Sequence, residues 1–460
     1  MENNTVKSVE VKLLRGKNEE IQVKAFKRRW VILFMYMYYA CFPGIQWIEY
    51  SSITNIVVKY YNVSTLAVDW TSIVYMATFP LLIIPASLVM ETQGLRTTGL
   101  IGCLLTFIGT SVKVLSIRPD FFWIVLLGQT ILSIAQTFIS ALPPKIASVW
   151  FKSSEISTAC AFGVFGGISG NAIGYILPSI VVEDSDDMDD IASGLKLLCW
   201  ILTVLMIPVT IAVICYFPEQ PSLPPSTTEA SRRMNQKKFD KTDFFRSIKY
   251  LFQNKGFLIH MVAYSINVAV SSAAMTLLNQ FVLQNFEGAA EHAGRMGFLM
   301  IILGMVGIIL FGVLMDKTRK YKEIALISYL LFGISFVFLM FSLEYRSLIA
   351  TYISCGFVGF FFNGYLPVGF ELGVELTFPA QEVTTSGIIV ASSQLVGVVV
   401  TVGAGYLNLW LGPMWTMAVQ AVFVFLGTLI TVFIPNKMLR QQAIEGRVIN
   451  TERKISLSSK

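Results

Sequence analysis

Charge and histidine are what this sequence has least of. Asp, Glu, Lys and Arg together make 14% of its 460 residues, against 54% that are hydrophobic, and only two histidines occur, His260 and His292. So little charge leaves too little polar surface to cover a soluble core of this size. Two separated histidines provide no paired metal-ligand or haem-attachment spacing. A nucleophile elbow, a phosphate-cradling glycine loop and an HExxH word are also missing, so the chain does not read as an enzyme and calls for no cofactor, metal or nucleic-acid partner. All six cysteines sit inside apolar runs, which suits small packing residues better than a disulfide framework.

What is abundant is apolar length. Runs of roughly twenty residues, enough to cross a hydrocarbon core of about 30 Å, recur along the whole chain. Spans are expected over 30–57, 70–91, 98–117, 121–144, 155–182 and 195–217, then 256–285, 293–315, 323–343, 347–374, 382–408 and 413–435. The expected fold is therefore an all-α membrane protein of twelve transmembrane helices in two six-helix halves. The expected organisation is a tail over 1–29, a first half over 30–217, a linker over 218–255, a second half over 256–436 and a tail over 437–460. The charged start, with Lys24, Lys27, Arg28 and Arg29 before the first span, reads as a cytosolic tail and not as a cleavable leader. With both termini cytosolic, most of the 35 lysines and arginines fall on the inner side, as the positive-inside bias requires. The linker, rich in Pro221, Pro224 and Pro225 and then in basic residues, reads as a flexible connection. The acidic run from Glu183 to Asp190 reads as a solvated outer turn, and Asn62-Val63-Ser64 as a glycosylation sequon in an outer loop.

The halves repeat. The second span ends Met90-Glu91-Thr92-Gln93-Gly94-Leu95-Arg96 and the eighth ends Met315-Asp316-Lys317-Thr318-Arg319, a parallel repeat with a spacing of about 225 residues. Glu91, Arg96, Asp316, Lys317 and Arg319 resemble the cytosolic gating motif of the major facilitator superfamily, though helix-end charges in a basic loop would look similar. Glu371 and Glu375, four apart and hence on one helix face, are further gating candidates. Together with Glu49 they are the ionisable residues expected inside spans, and Glu49 is expected at the outer mouth or exposed near its helix end. Gly163, Gly166, Gly167, Gly170 and Gly174 in the fifth span are expected to allow a close helix contact.

Gln46-Trp47-Ile48-Glu49-Tyr50-Ser51, Asp69-Trp70, Ala135-Gln136, Thr276-Leu277-Leu278-Asn279-Gln280 and Gly364-Tyr365-Leu366-Pro367 resemble, in order, the feline leukaemia virus subgroup C receptor family of that superfamily. The likeness covers nearly all of the membrane region. It implies facilitated, alternating-access transport of choline and ethanolamine in a multi-pass protein, expected as a monomer in the plasma membrane, with haem a further substrate associated with the family. It also implies a small aromatic and amide-lined cavity between the halves, in which the family's positions correspond to Trp47, Gln136, Ser272 and Gln394. At Ser272 this sequence departs from the family's tyrosine, and at Glu49 from its glutamine.

These residue types suit a quaternary ammonium, which has no N–H to donate and is held by aromatic faces, tryptophan best of all. Adding the repeat spacing to Trp47 lands on Ser272, so the missing aromatic is the symmetry mate of the tryptophan. Tyr75, Phe79, Phe138, Tyr264 and Tyr365 are candidates to complete the cavity, against plain packing. Gln136 and Gln394, amides in mid-span, must face a wet cavity or a partner helix. A carrier of another solute such as haem, or a receptor with no transport, remain the alternatives at this stage.

Overall fold

The computed structural model describes residues 23–152, 155–226, 229, 230, 233, 248–378, 380, 382–436 and 439. Much of the expected linker and both expected tails therefore lie outside the described residues. Backbone in hydrocarbon must satisfy its own hydrogen bonds, so the apolar runs fold as helices. Ten helices among the described residues are long and apolar enough to cross a membrane. Two of them, Thr65–Ser116 and Thr384–Val432, run to 52 and 49 residues, about twice a crossing. Each is broken at a glycine with left-handed backbone, Gly94 at φ 89° and Gly412 at φ 79°. Counted as pairs they bring the crossings to the twelve expected, with single left-handed residues where loops were anticipated. The first crossing, Arg28–Tyr61, is itself broken, because its helix stops at Ile48 and resumes through a short turn at Ser51–Ile53.

The duplication is visible in the backbone. Gly94 ends the second crossing and Arg319, also left-handed at φ 55°, ends the eighth, about 225 positions later. Contacts follow the same symmetry. In the first half the first and fifth crossings meet backbone to backbone through the anticipated glycines, since a Cβ on Gly166 would lie 2.7 Å from the Met37 carbonyl oxygen and Gly170 and Gly174 face the carbonyls of Cys41 and Ile45. The seventh and eleventh make the corresponding pair, joined by Ser265 Oγ and Ser392 Oγ at 2.9 Å. Between the halves, the second crossing packs on the eleventh, where Met76 Sδ lies against Gly397 and accepts from Thr401 Oγ1 at 3.8 Å. The fifth packs on the eighth, where Tyr175 covers Gly294 and Gly297. The repeat that exchanges second with eighth and fifth with eleventh exchanges these two contacts.

Arg28 and the connection beginning at Pro218 share one end of the bundle, with Lys24 N donating to the Pro224 oxygen at 3.0 Å. The halves are tied at the opposite, far end. Asn279 Nδ2 donates to the Ser52 carbonyl at 2.8 Å, Gln280 Nε2 to Asp69 Oδ1 at 2.7 Å and the Tyr175 hydroxyl to the Met275 carbonyl at 2.7 Å. At the terminal end, Glu91 pairs with Lys145 at 3.1 Å, Arg29 with Glu155 at 3.2 Å, and Asn254 with the Leu376 carbonyl at 2.8 Å, each within one half. The acidic far-end loop is less free than the sequence suggested. Asn55 Nδ2 holds Asp184 at 2.8 Å and Lys59 Nζ holds Asp186 at 2.7 Å, a hydrogen bond that keeps the Asp186 carboxyl below its usual range.

Candidate substrate site

A helix that stops near the far end of an apolar run leaves carbonyls without intrahelical partners, and each must find another donor. At the break after Ile48 the donors come from neighbouring crossings. Gln129 Nε2 of the fourth donates to the Gln46 carbonyl at 2.8 Å, and Ser72 Oγ of the second donates to the Trp47 carbonyl at 2.6 Å. Ser52 Oγ reaches back to the Glu49 carbonyl at 2.9 Å. The peptide carrying Trp47 is thus fixed from both sides by side chains, and the Tyr75 hydroxyl steadies Gln129 by donating to its Oε1 at 3.3 Å.

Trp47 is half-buried and packs on the apolar cluster that runs from Ile48, Ala172 and Tyr175 of the first half into the second. Its Nε1 is buried without a protein partner. Gln129, Ser133 and Gln136 fall at intervals of four and three, on one face of the fourth crossing. The first two of these bond to Gln46 and Thr78, so Gln136 continues a face turned towards the first and second crossings. Gln136 is half-buried and its Oε1 has no protein partner. Trp47 thus offers an unpaired donor and Gln136 an unpaired acceptor.

In the second half, Ser265, Ser272 and Asn279 are spaced by seven and share a face of the seventh crossing, Lys255–Asn285. Ser265 bonds to the eleventh crossing and Asn279 to Ser52 across the interface, which places Ser272, 7% exposed, on the wall between them. Gln394 is half-buried, one turn from Gly397 and its contact with Met76 of the first half. The aromatic candidates divide. Tyr75 and Phe79 are buried in the second crossing and Phe138 is half-buried on the fourth. Tyr264 and Tyr365, 2% and 0% exposed, pack with each other, with Phe370 and with Tyr329 inside the second half.

The gating candidates divide similarly. Glu91 pairs with Lys145, and Arg96 is exposed, its guanidinium donating to the Ile214 carbonyl at 3.4 Å. Lys317 and Arg319 are exposed at the end of the eighth crossing, while the side chain of Asp316 lies outside the described residues. Glu371 is half-buried and Glu375 fully buried, and both have partners. Sequence reasoning missed what sits beside Gly94: the Glu219 carboxylate accepts from the backbone N–H groups of Leu95 and Arg96, both at 2.7 Å, and caps the third crossing where it starts.

Glu49 requires the largest correction. It is neither at a mouth nor exposed: its Oε2 lies 2.6 Å from Lys113 Nζ, with the two side chains 0% and 1% exposed. Lys113, and Asp69 with 0% exposure, were absent from the ionisable residues expected inside spans. Each sits near the far end of its apolar run, where sequence alone makes it look interfacial. The signal that could have found Lys113 is Gly128, whose absent Cβ admits the lysine stem.

Two six-helix halves tied to one another at the far end have the architecture of a membrane transporter. Residues 31–364 match the Major Facilitator Superfamily. The choline/ethanolamine transporter flvcr2a of Danio rerio is 37% identical over 91% of this chain and 89% of its own length. Choline/ethanolamine transporter FLVCR2 of Homo sapiens is 36% identical over 92% of this chain and 80% of its own. Among solved structures, an inward-facing, unoccupied bacterial homolog of the human lysosomal transporter Spinster superposes with a TM-score of 0.72 at 13% identity, covering 91% of this chain and 99% of that one. The partially occluded, inward-open xylose transporter XylE of E. coli gives 0.69 at 14%, covering 89% and 100%. The chain belongs to the Major Facilitator Superfamily and, within it, to the feline leukaemia virus subgroup C receptor family.

Proposed function

We propose that the protein carries choline and ethanolamine by facilitated alternating access, with both termini cytosolic, and that the conformation described is open to the cytosol and sealed outside. The relatives named for choline and ethanolamine support the substrate class. The observation that carries the site is the pairing of an unpartnered indole N–H at Trp47 with an unpartnered amide oxygen at Gln136. The indole face attracts the cationic head, and the amide oxygen accepts a hydrogen bond from the hydroxyl or amine at the other end. Gln394 supplies a second amide from the other half. Ser272, standing where the repeat would put a second aromatic ring, leaves the cage open on one side.

A single positive charge moving inward gains about 2.3 kcal/mol per 100 mV of inside-negative potential, so uptake needs no coupled ion. The assay is counterflow in proteoliposomes: radiolabelled choline or ethanolamine should accumulate transiently against unlabelled solute on the opposite side. Absence of counterflow for both, in vesicles holding folded protein, would remove the substrate assignment.

A further inference from the structure

A carrier of a cation has no evident reason to bury a lysine beside its binding wall, yet Lys113 is 1% exposed and bonds to the neighbour of Trp47. Its Nζ donates to Gln46 Oε1 at 2.9 Å and to Glu49 Oε2 at 2.6 Å, and lies 4.7 Å from the centre of the Tyr50 ring. Gln46 in turn donates through Nε2 to Thr110 Oγ1 at 2.8 Å. The cluster therefore gathers on the broken end of the first helix, between Ile48 and Ser51, where the helix dipole concentrates negative potential. A positive charge suits such an end. A carboxylate there does not, unless it has its own countercharge.

We infer that Glu49 and Lys113 form an internally neutralised pair that sets the specificity of the neighbouring site: Lys113 braces the helix break that presents Trp47, and Glu49 cancels its charge, so the solute is chosen by aromatic and amide faces. This inference rests on the proposal that a cation binds at Trp47. It assigns Glu49 a positioning and compensating role and denies it direct contact with the solute. Geometry favours that reading. Glu49 follows the last residue of the first helix, and its Oε2 is held by Lys113 of the third crossing, while its Oε1 is buried without a protein partner. A buried lysine left uncompensated at roughly 10 Å would weaken binding of a monocation on the order of tenfold at an effective dielectric of about 20, and would leave a neutral solute of the same shape unaffected.

The test compares choline with its neutral carbon isostere, in which carbon replaces the ammonium nitrogen, as competitors for binding to purified full-length protein. Arginine stays charged in any environment, so K113R/E49Q holds an uncompensated cation in place, while K113R alone keeps the pair. The choline-to-isostere affinity ratio should fall on the order of tenfold in K113R/E49Q and hold in K113R. In E49Q/K113Q, which removes both charges and serves as the second measurement if the charged variant does not fold, the ratio should match wild type within about twofold. A ratio that collapses in E49Q/K113Q would make Glu49 a direct counter-ion and overturn the inference. So would an unchanged ratio in folded K113R/E49Q. A wild-type protein that binds no choline would instead overturn the substrate assignment, and this inference with it.

Discussion

At the scale of single residues, the account turns on two polar atoms that have no protein partner, Trp47 Nε1 and Gln136 Oε1. Trp47 and Gln136 were legible in the sequence because the family's words surround them, and the structure finds an unpartnered donor on one and an unpartnered acceptor on the other. Ser272 is the residue whose replacement discriminates best. Ser272→Tyr restores the second aromatic at the repeat-related position and should tighten choline binding by about 0.5–2 kcal/mol, roughly twofold to thirtyfold, read by scintillation proximity or calorimetry. No gain would place the solute elsewhere on the wall. The Glu49–Lys113 pair was not legible, because burial near the end of a long apolar run depends on which helix crosses there. Removing one partner of a buried pair strands the other's charge. Lys113→Ala should therefore destabilise the protein by about 3–5 kcal/mol, more than E49Q/K113Q does, and a thermal-shift ranking with the double variant lower would contradict the pairing.

Among the elements, those that periodicity describes were predicted well, and those made by single backbone positions were not. Span lengths follow from hydropathy, and the glycines of the fifth crossing pointed to a close helix contact, which the structure makes with the first. The break after Ile48 was invisible, because no polar run marks it; the boundaries at Gly94 and Gly412 were expected, but as loops and not as single left-handed residues. Gly94 carries two requirements at once: a left-handed φ, and room for the Glu219 carboxylate that caps Leu95 and Arg96. Gly94→Ala should cost about 1–2 kcal/mol for the backbone alone, plus the displaced cap. Glu219→Ala, which loses the cap without straining the backbone, should cost about 0.5–2 kcal/mol. Equal melting temperatures for Gly94→Ala and wild type would show that the carboxylate and the left-handed turn do not matter at this junction.

For the whole molecule, the repeat was the most informative feature of the sequence, since it gave the number of halves, their symmetry and the partner position of Trp47. Which end of the bundle is closed was not legible, because opening and closing use the same helices and differ only in which ends touch. The far-end ties through Ser52, Asp69 and Tyr175 define the conformation described. Asp69→Ala removes the acceptor for Gln280 and should shift the population towards the state open at the far end. Cysteines placed beside Asn279 should then react faster with a membrane-impermeant maleimide applied from that side, by about threefold or more if the lost bond contributes near 1 kcal/mol to the closed state. Unaltered labelling would mean that apolar packing alone holds that end shut.

The most direct measurement is saturable choline uptake by Trp47→Ala at matched surface expression. The account predicts that uptake falls to the background of cells lacking the transporter, because the indole supplies the only cation-holding face assigned to the first half. Uptake with wild-type saturation and rate would contradict it.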